Sequence, residues 1–212
     1  MRNLSQIDRL LGAIDQSLRT VYAAPPTTGR PNPASGLQEA ELDDARRRLA
    51  GRLLRVDHAG EVSAQGLYQG QAATAKNAEV REQMQRSADE ENDHLAWCEA
   101  RLQALGEHKS YLNPFWYWGS FGIGALAGLA GDRWSLGFVD ETEQQVVRHI
   151  DEHLQKLPMD DQRSRAVLVQ MREDETHHAY KARTAGAAKL PAPVRGMMRI
   201  VSKVMTTTAE RL

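Results

Sequence analysis

Apolar residues recur every three to four positions along most of this chain, a spacing that predicts one helix after another. From Leu37 onward the predicted helices cover roughly 39–74, 78–105, 135–157, 160–187 and 192–211. The alternation that marks strands is nearly absent, so the expected class is all-α. Earlier in the chain, Leu4, Ile7, Leu11, Ile14 and Leu18 place an amphipathic helix within residues 1–22. Asp8 and Asp15 interrupt it and no continuous apolar run follows, so neither a signal peptide nor an acid-poor transit peptide is expected. Its apolar face suits packing on the chain's own core, a partner or a membrane surface. Residues 23–36, "AAPPTTGRPNPASG", hold four of the eight prolines and predict a linker before a domain over 37–212.

One segment departs from the amphipathic pattern. Residues 110–134, "SYLNPFWYWGSFGIGALAGLAGDRW", contain three of the four tryptophans, two of the three phenylalanines, two of the five tyrosines and five glycines. From Phe115 to Ala130 they carry no charge. The run falls short of the ~20 residues needed to span a bilayer. Two readings remain: a buried hairpin, or an interfacial or re-entrant membrane contact favoured by the Trp and Tyr cluster.

The helix containing "LLRVDHAGEVSAQGLYQGQ" is odd in its middle. Asp57, His58 and Glu61 lie about one turn apart beside Gly60, a residue that weakens a helix unless something uses the room it leaves. Further on, "DEENDHLAW" holds Glu91 and His94, and "REDETHHAY" holds Glu175 and His178. Each Glu-x-x-His puts a carboxylate and an imidazole on one helix face. Each is also preceded by a lone glutamate: Glu61 stands 91 − 61 = 30 residues before the first, and Glu143 stands 175 − 143 = 32 before the second. Such a separation is roughly half a helix, a short turn and half the next helix, so the lone glutamate comes level with its pair in an antiparallel hairpin.

Two such hairpins packed together bring four glutamates and two histidines into one layer. That is the ligand set of a di-iron or di-manganese carboxylate site in a ferritin-like four-helix bundle. Oxygen-rich donors with one imidazole per metal suit iron or manganese rather than metals that prefer thiolates. Glu141 competes with Glu143 on spacing alone. Glu82, Glu90, Glu99, Glu152 and His153 require no more than solvated helix faces. Glu90 and Asp174 each lie four residues before a ligand histidine, where a carboxylate can hold a second ring nitrogen.

Composition narrows the chemistry. At 212 residues, 41% hydrophobic and 26% charged, the chain is long enough for one sizeable core. A net charge of −1 gives no general pull toward nucleic acid. Cys98 is the only cysteine, which excludes an internal disulfide and the four-cysteine iron centre of a rubrerythrin-type peroxidase. The glycines of "GIGALAG" follow no strand, so no nicotinamide or flavin fingerprint is present and electrons must come from outside the chain or through the substrate.

"RVDHAGEVSAQGLYQGQ", "EENDH", "TEQQVVRHIDEHL", "EDETHH" and the terminal "AERL", together with the apolar segment, closely resemble the demethoxyubiquinone hydroxylases of ubiquinone biosynthesis. The resemblance runs from about Leu53 to the end. It implies a ferritin-like bundle with an apolar crossover insert and extra terminal helices, holding two iron ions on Glu61, Glu91, His94, Glu143, Glu175 and His178. It selects Glu143 over Glu141, because the family's ligand stands six residues before a histidine that matches His149. That histidine lies near the quinone in the family, which makes His149, with Glu90 and Asp174, a candidate for supporting the ligands or touching substrate. No catalytic side chain beyond the metal ligands is implied.

The implied reaction is monooxygenation of 6-methoxy-3-methyl-2-polyprenyl-1,4-benzoquinol by dioxygen, and the implied setting is the periphery of the membrane that holds the quinone. Membrane lipid, proteins of a ubiquinone-biosynthesis complex and an external reductant are the implied partners, with no nucleic acid. The amino-terminal helix and linker do not match the shorter eukaryotic members. With no transit peptide expected, a bacterial protein on the cytoplasmic side of the inner membrane is implied. "VDETE" replaces the family's usual double glutamate, leaving Gln144 after Glu143. The competing readings fit less well: an iron store leaves the aromatic segment unexplained, and a tRNA-modifying hydroxylase favours a basic patch.

Overall fold

The computed structural model describes residues 6–212, so the first turn of the expected amino-terminal helix lies outside the described residues. Seven helices follow in order: α1 (Gln6–Tyr22), α2 (Asp44–Thr74), α3 (Ala78–Leu105), α4 (Asn113–Ala130), α5 (Asp132–Lys156), α6 (Gln162–Thr184) and α7 (Ala192–Ala209). No strand occurs among the described residues.

Local chemistry sets the helix limits. Helix α2 begins five residues later than its apolar spacing predicts, because the Asp43 carboxylate caps it by accepting from the Arg46 amide at 2.8 Å. Asn77 and Asp161 cap α3 and α6 in the same way. Gly106 ends α3 with φ 71°, a left-handed conformation that favours glycine.

Helices α2 and α3 form one antiparallel hairpin and α5 and α6 another, and the two pack as a four-helix bundle. The Asp132 carboxylate, at the start of α5, accepts from the Lys76 and Asn77 amides at 3.0 Å each and so pins α5 to the α2–α3 turn. Two apolar clusters fill the bundle. One contains Leu53, Leu54, Trp97, Leu102, Ile150 and Met171, and the other contains Tyr68, Met84, Ala88, Val139 and Ala182. On every helix of the bundle, the turn predicted to carry ligands falls between residues of the two clusters.

The apolar segment is neither a hairpin nor a span. It folds as the single helix α4, parallel to α2, and carries the chain from one end of the bundle to the other. No helix of the described residues is long and apolar enough to cross a membrane. Glycines decide how closely α4 lies: a Cβ on Gly66 or Gly70 would fall on the backbone of Tyr117 or Phe121, and one on Gly124 would fall on that of Leu67. This small-residue packing lets two backbones approach as larger side chains would not. Gly60, which the sequence marked as leaving useful room, has nothing within 4 Å of its Cβ position.

The proline-rich segment and the residues after it form no helix, yet they are tied to the bundle. Thr28 donates through its amide and hydroxyl to Asp93 at 2.8 and 2.6 Å. Arg101, buried on α3, donates to Glu39 at 2.8 and 2.7 Å, to Asp161 at 2.9 Å and to Ser164 at 2.8 Å.

The α2–α4 contact predicts opposite results for neighbouring glycines. Gly124→Val should cost about 1–3 kcal/mol by forcing the backbones apart. Gly122→Ala, in open space on the same helix, should gain roughly 0.5–1 kcal/mol. Urea unfolding of the two variants beside the parent reads both; equal effects would contradict the packing described.

Candidate metal centre

The six side chains predicted as ligands are all buried, each with at most 3% of its surface exposed. Glu61, Glu91, His94 and Glu175 each offer one ligand atom, and these atoms lie within 4.8 Å of one another. His94 Nδ1 stands 2.8 Å from Glu91, 3.1 Å from Glu175 and 3.6 Å from Glu61. His178 Nδ1 is 3.1 Å from Glu91 and 3.2 Å from Glu175, which puts it on the same carboxylates from the opposite hairpin. Glu143 accepts from the Tyr68 hydroxyl at 2.5 Å. Tyr68 is fully buried on α2, seven residues and two turns beyond Glu61. Sequence reasoning missed it, although that spacing places it on the Glu61 face.

The outer ring nitrogens show a crossed arrangement. Asp174 lies four residues before His178 but holds His94, with Nε2 to Oδ2 at 2.9 Å. Glu90 lies four residues before His94 but holds His178 at 2.6 Å. The structure places both acids at imidazole nitrogens across the α3–α6 interface, not along either helix. Glu90 is therefore more than a solvated face. A carboxylate at Nε2 keeps the proton there and turns the Nδ1 lone pair inward, the tautomer a metal ligand requires.

Asp174 is itself anchored, accepting from Arg30 at 2.6 Å and from Gln170 at 3.1 Å, and Arg30 lies 5.0 Å above the Trp97 ring. Burial works against the Asp174 charge, but the hydrogen bonds from His94 and Arg30 outweigh it and bring the carboxyl down to about 2.

The donor set fits a pair of divalent cations. Burial, then the charge of Glu91, pushes the Glu61 carboxyl well above its ordinary range. Burial, then Glu175, does the same to Glu143. Burial opposes the charge on Glu91 too, but His94 and His178 draw its carboxyl well below the usual range. No Lys or Arg contacts the four glutamates among the described residues. Both Glu91 oxygens and His94 Nδ1 are buried without a partner in hydrogen-bond geometry. Four charged carboxylates in such surroundings need about four positive charges, which two divalent ions supply.

His58 does not join the cluster. It is buried, its Nδ1 has no partner, and burial together with Lys109 brings it down to about 3. His149 and His153 lie apart from the six, beside Asp57. His153, which the sequence allowed as a solvated face, is 3% exposed, with Nδ1 2.9 Å from Asp57.

Comparison with known proteins adds to this geometry. The family model described as "Ubiquinone biosynthesis protein COQ7" matches residues 48–209. The chain is 57% identical over 208 residues to a 3-demethoxyubiquinol 3-hydroxylase of Nitrosococcus oceani, a match covering 98% of this chain and 97% of that protein. It is 54% identical to the protein of that name in Polynucleobacter asymbioticus, over 99% of this chain and 100% of the other. The one in Chromohalobacter salexigens is also 54% identical, over 100% and 99%.

Asp174→Asn and Glu90→Gln should each weaken metal binding roughly 10–100-fold by loosening one imidazole. Competition against a chelator of known affinity measures this. Affinities equal to the parent would remove the crossed carboxylates from any role in holding the centre.

Proposed function

Because the chain belongs to the COQ7 family of ubiquinone biosynthesis proteins, we propose that it is a 3-demethoxyubiquinol 3-hydroxylase whose Glu61, Glu91, His94, Glu143, Glu175 and His178 hold two iron ions. The observation that supports this most is the convergence of six buried donors from four helices between two apolar clusters. The substrate is the ring of a polyprenyl benzoquinol and the oxidant is dioxygen. One oxygen atom enters a ring C–H bond to give C–OH; the other leaves as water, consuming two electrons and two protons.

The iron pair supplies the binding and activation of dioxygen. The protein's part is to hold and shield it. The six donors would fix the ions, Asp174 and Glu90 set the imidazole tautomers, and Tyr68 orients Glu143 by donating a hydrogen bond to its oxygen. The apolar clusters exclude water from both ends of the layer. His149, 27% exposed on α5, is the side chain assigned to the quinol head. Burial, only partly offset by Asp57, brings it down to about 4, so at neutral pH it is an uncharged acceptor for a quinol hydroxyl. Electrons come from an external reductant or through the quinol.

A substrate with a long isoprenoid tail accounts for the exposed apolar surface. Phe115, Leu126 and Leu129 on α4 are 66%, 69% and 61% exposed, and Met197, Ile200 and Val204 on α7 are 64%, 69% and 56% exposed. The two helices meet at Trp116, Met205 and Ala209. In this reading these faces enter one leaflet, without spanning it, on the cytoplasmic side of the bacterial inner membrane, where other proteins of ubiquinone biosynthesis can gather. The amino-terminal helix, with Leu11 and Leu18 exposed, adds to that surface.

Iron-loaded protein reduced without oxygen, then mixed with air and a demethoxyubiquinol, should form the hydroxylated quinol. Glu175→Ala should lose metal and product together. Two irons per chain without product would send the function to another di-iron oxygenase, and absence of metal would overturn the ligand assignment. For the membrane face, Phe115→Glu, Leu126→Glu and Leu129→Glu combined should release the protein in vesicle flotation while the iron content stays unchanged. Retention on the vesicles would reject α4 as the contact.

A further inference from the structure

A second group of donors lies outside the six. Asp57 on α2 faces His149 and His153, one turn apart on α5, and one ligand atom from each lies within 4.8 Å of the others. His153 Nδ1 is hydrogen-bonded to Asp57 Oδ2 at 3.0 Å and lies 2.9 Å from Oδ1, so an ion there would replace that hydrogen bond, while His149 Nε2 is 3.9 Å from Oδ1. The two imidazole rings are packed with centroids 3.9 Å apart.

Two of these atoms, Asp57 Oδ1 and His149 Nε2, are buried and unpartnered in hydrogen-bond geometry. The Asp57 side chain is 1% exposed. The combination of buried carboxylate oxygens and imidazole nitrogens without partners recurs at Glu91 and His94, within the principal cluster. Elsewhere in the described residues such atoms do not gather as carboxylate with imidazole.

We propose that Asp57, His149 and His153 form a separate, mononuclear site for a divalent transition-metal ion of the zinc class. Two imidazoles and one carboxylate are a three-ligand set that leaves a further position for water. Donors around such an ion, bound at about 2.1 Å, stand about 3.4 Å apart in a tetrahedral shell. The observed separations of 2.9 and 3.9 Å bracket that value, so small rotations of the side chains suffice. Burial also favours the neutral, ligating form of His149.

The ion would clip α2 of one hairpin to α5 of the other. It would also compete with the quinol for His149, a consequence that rests on the functional reading above, whereas the site does not.

The test uses full-length, iron-loaded protein exposed to Zn2+, desalted, and analysed for both metals in the same sample. One zinc per chain is expected, with iron retained. His153→Gln and the more exposed His149→Gln should each lose that zinc while keeping the parent's iron and far-ultraviolet circular dichroism. Uptake of Co2+ in place of zinc should give visible d–d absorption of a nitrogen- and oxygen-ligated ion, absent in both variants. No zinc uptake, equal uptake in parent and variants, or zinc gained only as iron is lost would each overturn the proposal.

Discussion

Four carboxylates held in the middle of a bundle, away from water and, among the described residues, from any lysine or arginine, are the constraint around which the rest of this protein is arranged. Taking a charged carboxylate out of water costs several kcal/mol unless opposite charge and hydrogen bonds replace what water supplied. Here the protein supplies imidazoles and one tyrosine hydroxyl, and the proposed pair of cations would complete the balance. Leu54, Leu102 and Met171 close one end of that layer, and Met84, Val139 and Ala182 close the other. The polar layer is therefore narrow, and the cost of placing it is met within about two turns of each helix.

The crossed carboxylates make the two hairpins depend on each other. His94 belongs to the first hairpin and is held by Asp174 of the second; His178 belongs to the second and is held by Glu90 of the first. Neither hairpin has a complete set of oriented imidazoles alone. The two supports also differ. Asp174 is covered by Arg30, which brings the segment before α2 into the architecture of the centre, whereas Glu90 is 34% exposed beside Lys181. A proline-rich stretch otherwise free of regular structure is thus connected to His94 through two hydrogen bonds.

The glycine contacts between α2 and α4 bear on access. Because Gly66 and Gly70 bring the α4 backbone against the helix that carries Glu61, an uncharged outer surface lies one helix away from the cluster. The inner face of α4 contributes Trp116 and Tyr117 to the packed interior, while its outer face leaves Phe115, Leu126 and Leu129 uncovered. A single helix thereby serves the bundle on one side and offers an apolar surface on the other.

Much of this was legible in one dimension because helix geometry is regular. A period near 3.6 located α2, α3, α5 and α6. Glu-x-x-His put two donors on one face, and separations of 30 and 32 residues brought each lone glutamate level with its pair. Those relations lie within a helix or across a short turn, where sequence distance converts directly to space. Relations between helices do not convert in that way. The pairing of Asp174 with His94, Glu90 with His178, and Asp57 with His149 and His153 joins residues 80, 88 and about 90 positions apart or more. Such pairings depend on the rotation of each helix about its axis and on how closely backbones pack. For α4, glycines without side chains to signal a contact settled that closeness. The tertiary structure alone decided those pairings.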